Sequence, residues 1–207
     1  MLKTLPELES ERFLLRARRP ADLQAGWEMA SDVTSRTFLG DGRWRPNMQA
    51  YLRWFLKGME HDGWPQVGGF WMVEEKGTGQ VIGWCGLFPM PDRGPIEIGY
   101  CLHPSVRGRG AAREAASRVL RHGFEDLNFD PICGVTHPAN WRSQRVLQAI
   151  GLRREGQMPY HGKWIPFFRL TKAAFEAKRR ITDRHAGQGR CVSKAREPRP
   201  MSTLGAG

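Results

Sequence analysis

The sequence predicts one α/β (α+β) domain built on a mixed sheet, and three observations carry that reading. The hydrophobic period is 3.6 residues in some segments and 2 in others, so helices and strands are interleaved. A strand, a glycine turn and a helix follow one another without a break near the middle of the chain. The 207 residues, 40% hydrophobic with eight Trp and ten Phe, supply a core for one domain and a short appendage, not for a multidomain assembly.

Arg12 to Arg16 reads as a short strand, followed by Pro20, Ala21 and Asp22 as a helix start. Helical spacing then predicts Ala21 to Asp32 and Met48 to Glu60, the second with Tyr51, Leu52, Phe55, Leu56 and Met59 on one face. Phe70 to Glu74 and Val81 to Phe88, with Gly77 to Gly79 as turn material, predict an antiparallel hairpin. The next strand, Ile96 to Leu102, sets Ile96, Ile98, Tyr100 and Leu102 on one face against Glu97, Gly99 and Cys101 on the other. It runs through Arg107-Gly108-Arg109-Gly110 into a helix whose apolar residues, from Ala112 to Leu127, recur at i, i+3, i+4 and i+7. Ile132 to Thr136 is a further strand, Asn140 to Ile150 a helix closed by Gly151, and Leu152 to Arg154 with Trp164 to Leu170 a closing strand pair.

Net charge is +11 and unevenly placed. Lys178 to Gly207 carries eight Lys/Arg against Asp183 and Glu197. That segment is rich in Gly, Pro and Ser and poor in aromatics, so it is expected to be a disordered basic tail on a 1–177 domain. It is either a solvated appendage or a weak contact for nucleic acid or the ribosome. The four cysteines form no CxxC pair, Met1 to Ser10 is too polar for a signal segment, and no apolar run reaches the roughly 20 residues of a membrane span. A cytoplasmic setting without membrane attachment is the expectation. The six His show no paired ligand spacing, so no catalytic metal is expected.

The chemistry centres on the glycine turn. A helix N-terminus offers unpaired N–H groups and partial positive charge, so phosphate binds there if the backbone can be approached closely. Gly108, Gly110, Ala111 and Ala112 permit that approach, and Arg107 and Arg109 add charge. A Walker A loop would need a following Lys, and a dinucleotide fingerprint a small residue where Arg113 stands; neither fits. A plain basic turn or an RNA contact are the competing readings of the same string.

Arg107-x-x-Gly110-x-Ala112 and, about 30 residues later, Asn140-x-x-Ser143-x-Arg145-Val146-Leu147 resemble, in order, the two cofactor-side motifs of the GNAT superfamily of N-acetyltransferases. With Glu97 to Pro104 and Leu8 to Arg16, the likeness covers nearly all of residues 8 to 177 and is greatest to the RimJ/RimL-type branch, which includes enzymes acetylating ribosomal-protein N-termini. It implies a mostly antiparallel sheet whose strands Ile96 to Leu102 and Ile132 to Thr136 splay apart. Acetyl-CoA would lie in that wedge as co-substrate, with pantetheine on the backbone near Leu102 and His103 and pyrophosphate over Arg107 to Ala112. Glu97 lies five strand residues before Leu102, about 16 Å at the usual rise, comparable with an extended pantetheine arm.

Acetyl transfer to an amine needs a neutral amine, support for the developing oxyanion and a proton for the departing thiolate. Glu97 is the leading general base, against the reading of a surface or structurally paired Glu. Ser143 either donates to the thiolate or binds the cofactor, and both Ser143 and Asn140 also fit as helix-start residues. The general-acid Tyr that many relatives carry seven residues after the motif Asn is Leu147 here, and where some relatives place an acidic residue this chain has Ile165-Pro166. Tyr160 and His161 lie close enough in sequence to substitute. The expected acceptor is a protein or peptide N-terminal amine. The alternatives are a small amine such as an aminoglycoside or polyamine, and a silent acyl-CoA or RNA-binding module. Oligomeric state is not encoded in any of these features.

Overall fold

The computed structural model describes residues 5–38, 47–59, 68–90, 94–160 and 162–189, with side chains through 181. In chain order the elements are β1 (Leu8–Glu9), β2 (Phe13–Arg16), α1 (Leu23–Ser31), α2 (Val33–Phe38), α3 (Met48–Met59), β3 (Gly69–Glu75), β4 (Val81–Pro89) and β5 (Ile96–Leu102). They continue with α4 (Ala111–Glu125), β6 (Ile132–Val135), α5 (Trp141–Ile150), β7 (Arg153–Tyr160), β8 (Lys163–Leu170) and α6 (Lys172–Gly189). The strands form one sheet in the order β1-β2-β3-β4-β5-β6-β8-β7, antiparallel at every step except β5 to β6. That parallel step needs a crossover, which α4 supplies.

Pleating sorts the sheet's side chains onto two faces. Antiparallel partners share a face, so Trp71, Cys85, Leu87 and Ile98 lie together, while Phe70, Met72, Trp84, Phe88 and Glu97 lie on the other. The first set packs under α4: a Cβ on Gly123 would stand 2.9 Å from Leu87 and 2.7 Å from Ile132, so the helix backbone rests directly on the strands. Ala115, Ala116, Val119, Leu120 and Phe124 complete that core. Burying a side chain the size of Phe124 contributes about 1.5–3 kcal/mol. On the second face Met29 of α1 packs with Phe70, Met72 and Cys101, ringed by Trp54, Trp84 and Phe88.

The strand edges and helix ends follow the sequence closely from β3 to α5, and less closely elsewhere. Tyr51 and Phe55 of α3 are buried as expected, but Leu56 is 46% exposed. Glu60, the expected end of that helix, lies outside the described residues. The closing pair is longer than expected, with β7 reaching Tyr160. The basic segment also differs: α6 runs from Lys172 to Gly189, so the expected boundary at 177/178 falls inside a helix. The chain divides into two compact units at Lys172/Ala173. Residues 190–207 lie outside the described residues. No helix among the described residues is long and apolar enough to cross a membrane.

Candidate active site

Strands β5 and β6 are in register over two residues, Ile96 with Ile132 and Glu97 with Cys133, and then part. Among the described residues, no strand pairs with the β6 side of β5 beyond Glu97. The amide of His103 donates to Ile82 O of β4 at 2.8 Å. Peptide groups of a strand alternate between its two edges, so the amide of Leu102 faces the open side. The two residues expected together thus differ in their amides: that of His103 is bonded to β4, and that of Leu102 points to the other edge of β5. The His103 ring is engaged too, with Nδ1 2.7 Å from Ser105 Oγ and accepting from Ser105 N at the turn that follows.

That turn ends in Gly108, Arg109 and Gly110. Gly108 and Gly110 have φ of +80° and +77°, values that favour glycine. Nothing lies within 4 Å of a Cβ placed on Gly108, and on Gly110 only Arg12 Nη2, at 3.8 Å. No side chain caps the N-terminus of α4 at Gly110. The turn is therefore an approachable cradle at a helix N-terminus, with Arg109 exposed beside it and Ala111 buried beneath. Arg107 is used differently from expectation: its Nη2 binds Asp32 Oδ2 at 2.6 Å and donates to Ser35 Oγ at 3.0 Å, tying the turn to α1 and α2. Burial pushes the Asp32 carboxyl up, but the hydrogen bonds from Arg107 and Ser35 outweigh it and hold it below its ordinary value.

Glu97 sits at the apex, on the last position of β5 that pairs with β6. Tyr160, at the end of β7, donates to its Oε2 at 3.0 Å. Burial pushes the Glu97 pKa up to about 7, the Tyr160 hydrogen bond acting in the opposite direction. Cys133 beside it is buried, and its thiol is pushed up to about 11. His161 lies outside the described residues.

The start of α5 forms the other wall. Asn140 is its N-cap, Oδ1 accepting from Ser143 N at 3.2 Å. Ser143 Oγ is 3.0 Å from the Tyr100 hydroxyl, which also donates to Ser143 O at 3.2 Å. Leu147, one turn further, is 1% exposed and packs where a Cβ on Gly134 would meet its Cδ2 at 2.7 Å. It fills core.

An uncapped glycine turn at a helix N-terminus, a parallel β5–β6 contact two residues long, and the half-buried Glu97 carboxyl at its end lie along one strand-turn-helix run. A family model described as an acetyltransferase (GNAT) domain matches residues 12–153. The chain belongs to the GNAT family.

GNAT enzymes are N-acetyltransferases and use acetyl-CoA as co-substrate. The chain is 28% identical over 160 residues to an uncharacterized N-acetyltransferase, YnaD, of Bacillus subtilis, covering 77% of this chain and 88% of the relative. A GNAT-family acetyltransferase from Bacillus anthracis superposes with a TM-score of 0.69 at 24% identity, over 81% of this chain and 99% of that one. The same fold is found in the aminoglycoside acetyltransferase AAC(6')-Ib, solved with ribostamycin and coenzyme A (TM-score 0.67, 18% identity, 80% and 97% covered). It recurs in a Vibrio cholerae chain provisionally named a ribosomal-protein-serine acetyltransferase (TM-score 0.62, 18% identity, 82% and 99% covered).

Within this GNAT domain, two site neighbours lie outside the two cofactor-side motifs and were given no role from the sequence. Arg12 reaches the glycine turn from 97 residues away, its Nη1 donating to Arg109 O at 3.1 Å while Glu114 holds its Nε at 2.7 Å. Tyr100 stood in the alternating strand pattern on one face with Ile96, Ile98 and Leu102, with nothing in its spacing to single out its hydroxyl.

Proposed function

We propose that this acetyltransferase acts on α-amines of peptides or proteins, with Glu97 as general base. The observation that carries the reading is the half-buried Glu97 carboxyl at the end of the β5–β6 contact, its pKa pushed up to about 7 by desolvation. An α-amine has a pKa of about 7.7–8.0 and a Lys side chain about 10.4, so the same base deprotonates the lysine at an extra cost of roughly 3.5 kcal/mol. The branch likeness in Leu8 to Arg16 and Glu97 to Pro104 supports the same acceptor.

In this reading the backbone amides of Gly108 to Ala112 hold pyrophosphate, with Arg109 supplying charge, and the β5 edge from Ile98 to Leu102 pairs with the pantetheine arm. Arg107 and Asn140 act as positioning residues, through Asp32 and Ser143. Acetyl-CoA supplies the activated acyl group. Glu97 accepts the amine proton, directly or through water, as the nitrogen bonds to the carbonyl carbon. Ser143 Oγ donates a hydrogen bond to the departing sulfur, a role that asks for no protein nucleophile.

Coenzyme A release, followed with peptides bearing free N-termini, aminoglycosides and polyamines, separates the readings. Peptides are expected to release thiol fastest. Fastest release with small amines would reassign the acceptor, and binding without release would make the domain a silent acyl-CoA module. Gly110→Val is expected to weaken acetyl-CoA binding about tenfold or more, because a branched side chain both strains a φ of +77° and fills the cradle. Calorimetry showing unchanged affinity in the folded variant would remove the turn from the site.

A further inference from the structure

We propose that Tyr100 is the positioning residue that makes Ser143 a hydrogen-bond donor to the leaving sulfur, taking over from the opposite wall of the wedge the work that Leu147 cannot do. The inference rests on the role given to Ser143 under the proposed function and deepens it.

The first observation is where Leu147 goes. It is packed on Gly134 of β6 and closed off from solvent, so that turn of α5 offers no polar atom to the wedge. The second is that the hydroxyl nearest to filling the gap is held from both ends. Ser143 is fixed at its amide by Asn140 Oδ1 (3.2 Å), and the Tyr100 hydroxyl reaches both its carbonyl oxygen (3.2 Å) and its Oγ (3.0 Å). Tyr100 stands on β5 three residues past the last β5–β6 pair, on the face opposite Glu97, so its side chain crosses from one wall of the opening to the other.

A phenol has one proton, and this one has two acceptors in reach. When Tyr100 donates to Ser143 O, the serine hydroxyl donates back to the phenol oxygen and is occupied. When Tyr100 donates to Ser143 Oγ, the serine proton is released to another acceptor. The two arrangements differ by rotation of O–H bonds alone. Burial pushes the Tyr100 pKa up, partly offset by the hydrogen bond with Ser143, so the phenol keeps its proton at physiological pH and stays a donor in both.

A developing negative charge on sulfur favours the second arrangement, because charged acceptors make hydrogen bonds roughly twice as strong as neutral ones. The step balances without a further reagent. The amine nitrogen forms the C–N bond and gives its proton to Glu97, the C–S bond breaks with its electron pair on sulfur, and Ser143 Oγ–H bonds to that sulfur. The thiolate then takes a proton from solvent as Glu97 returns one.

Tyr100→Phe, Ser143→Ala and the double variant test this with an α-amine peptide, reading kcat, the KM for acetyl-CoA and the unfolding midpoint. Tyr100→Phe keeps the ring and is expected to lower kcat about tenfold, with KM within about twofold and the midpoint little changed. The double variant is expected to match Ser143→Ala alone, because Tyr100 acts through Ser143. A Tyr100→Phe kcat equal to wild type, while Ser143→Ala loses rate, overturns the Tyr100 proposal and leaves the Ser143 role standing. Losses that multiply in the double variant also overturn it. A Ser143→Ala variant with full kcat and a raised KM overturns both. If Tyr100→Phe lowers the midpoint sharply, the double-variant comparison still decides, since a structural loss multiplies with that of Ser143→Ala.

Discussion

Glu97→Gln is expected to lower kcat by about 10²–10⁴ near pH 7 while leaving acetyl-CoA affinity unchanged, the range for loss of a positioned general base. The sign of its pH dependence follows from the raised pKa. Below about 7 the wild-type carboxyl is protonated and cannot accept the amine proton, so the wild-type rate falls on the acid side. The variant lacks that limb, and its deficit shrinks as pH rises past the amine's own pKa and deprotonation needs no help. A constant ratio of rates across pH would remove Glu97 as the base. Stability gives an independent readout. A carboxyl whose pKa is raised by folding contributes stability that is full below its ordinary value of 4.5 and is lost as pH rises through about 7. Glu97→Gln therefore gains on the wild type in unfolding midpoint across that window.

Asp22→Ala is expected to cost about 3–5 kcal/mol of folding stability, the range for removing one partner of a buried ion pair. Arg16 and Asp22 are 4% and 3% exposed. Arg16 grips Asp22 in bidentate fashion at 2.8 and 2.9 Å, and its Nε reaches Glu74 at 2.6 Å. Asp22 also accepts from Arg19 N at 2.7 Å, where the chain turns from β2 towards α1. Without Asp22 the guanidinium stays buried with Glu74 alone for its charge. Denaturant unfolding decides the matter, and a loss below about 1 kcal/mol would show that the site admits water on substitution.

How much of this was legible in the sequence depended on whether a residue's job is local. The β5-turn-α4 run could be read because alternation, glycines and a 3.6-residue stripe are local patterns. Asn140 as cap and Gly151 as terminator are local as well. β7 was read as three residues because its side chains are mostly exposed and polar, Arg153, Arg154, Glu155 and Gln157 among them, so an edge strand showed no hydrophobic alternation. α2 is six residues with three β-branched side chains, Val33, Thr34 and Thr37, and no amphipathic stripe. α6 carries the basic run Lys178, Arg179 and Arg180 on a helix, where charge suggested tail.

The site divides along the same line. The backbone of the glycine turn and the strand that carries Glu97 follow from local pattern, while the roles given to them are proposals. The side-chain pairings were not: Tyr160 to Glu97 spans 63 residues, Tyr100 to Ser143 spans 43, and Arg107 to Asp32 spans 75. Arg107 looked like a phosphate ligand because its neighbours are glycines, and it became a clamp because α1 brought Asp32 within reach.

The most direct measurement is mass mapping of two peptides of one sequence after incubation with the enzyme and acetyl-CoA, one with a free N-terminus and acetylated lysines, the other with an acetylated N-terminus and free lysines. A single acetyl group is expected at the N-terminus of the first peptide and none on the second. Preferential labelling of lysine in the second would contradict this.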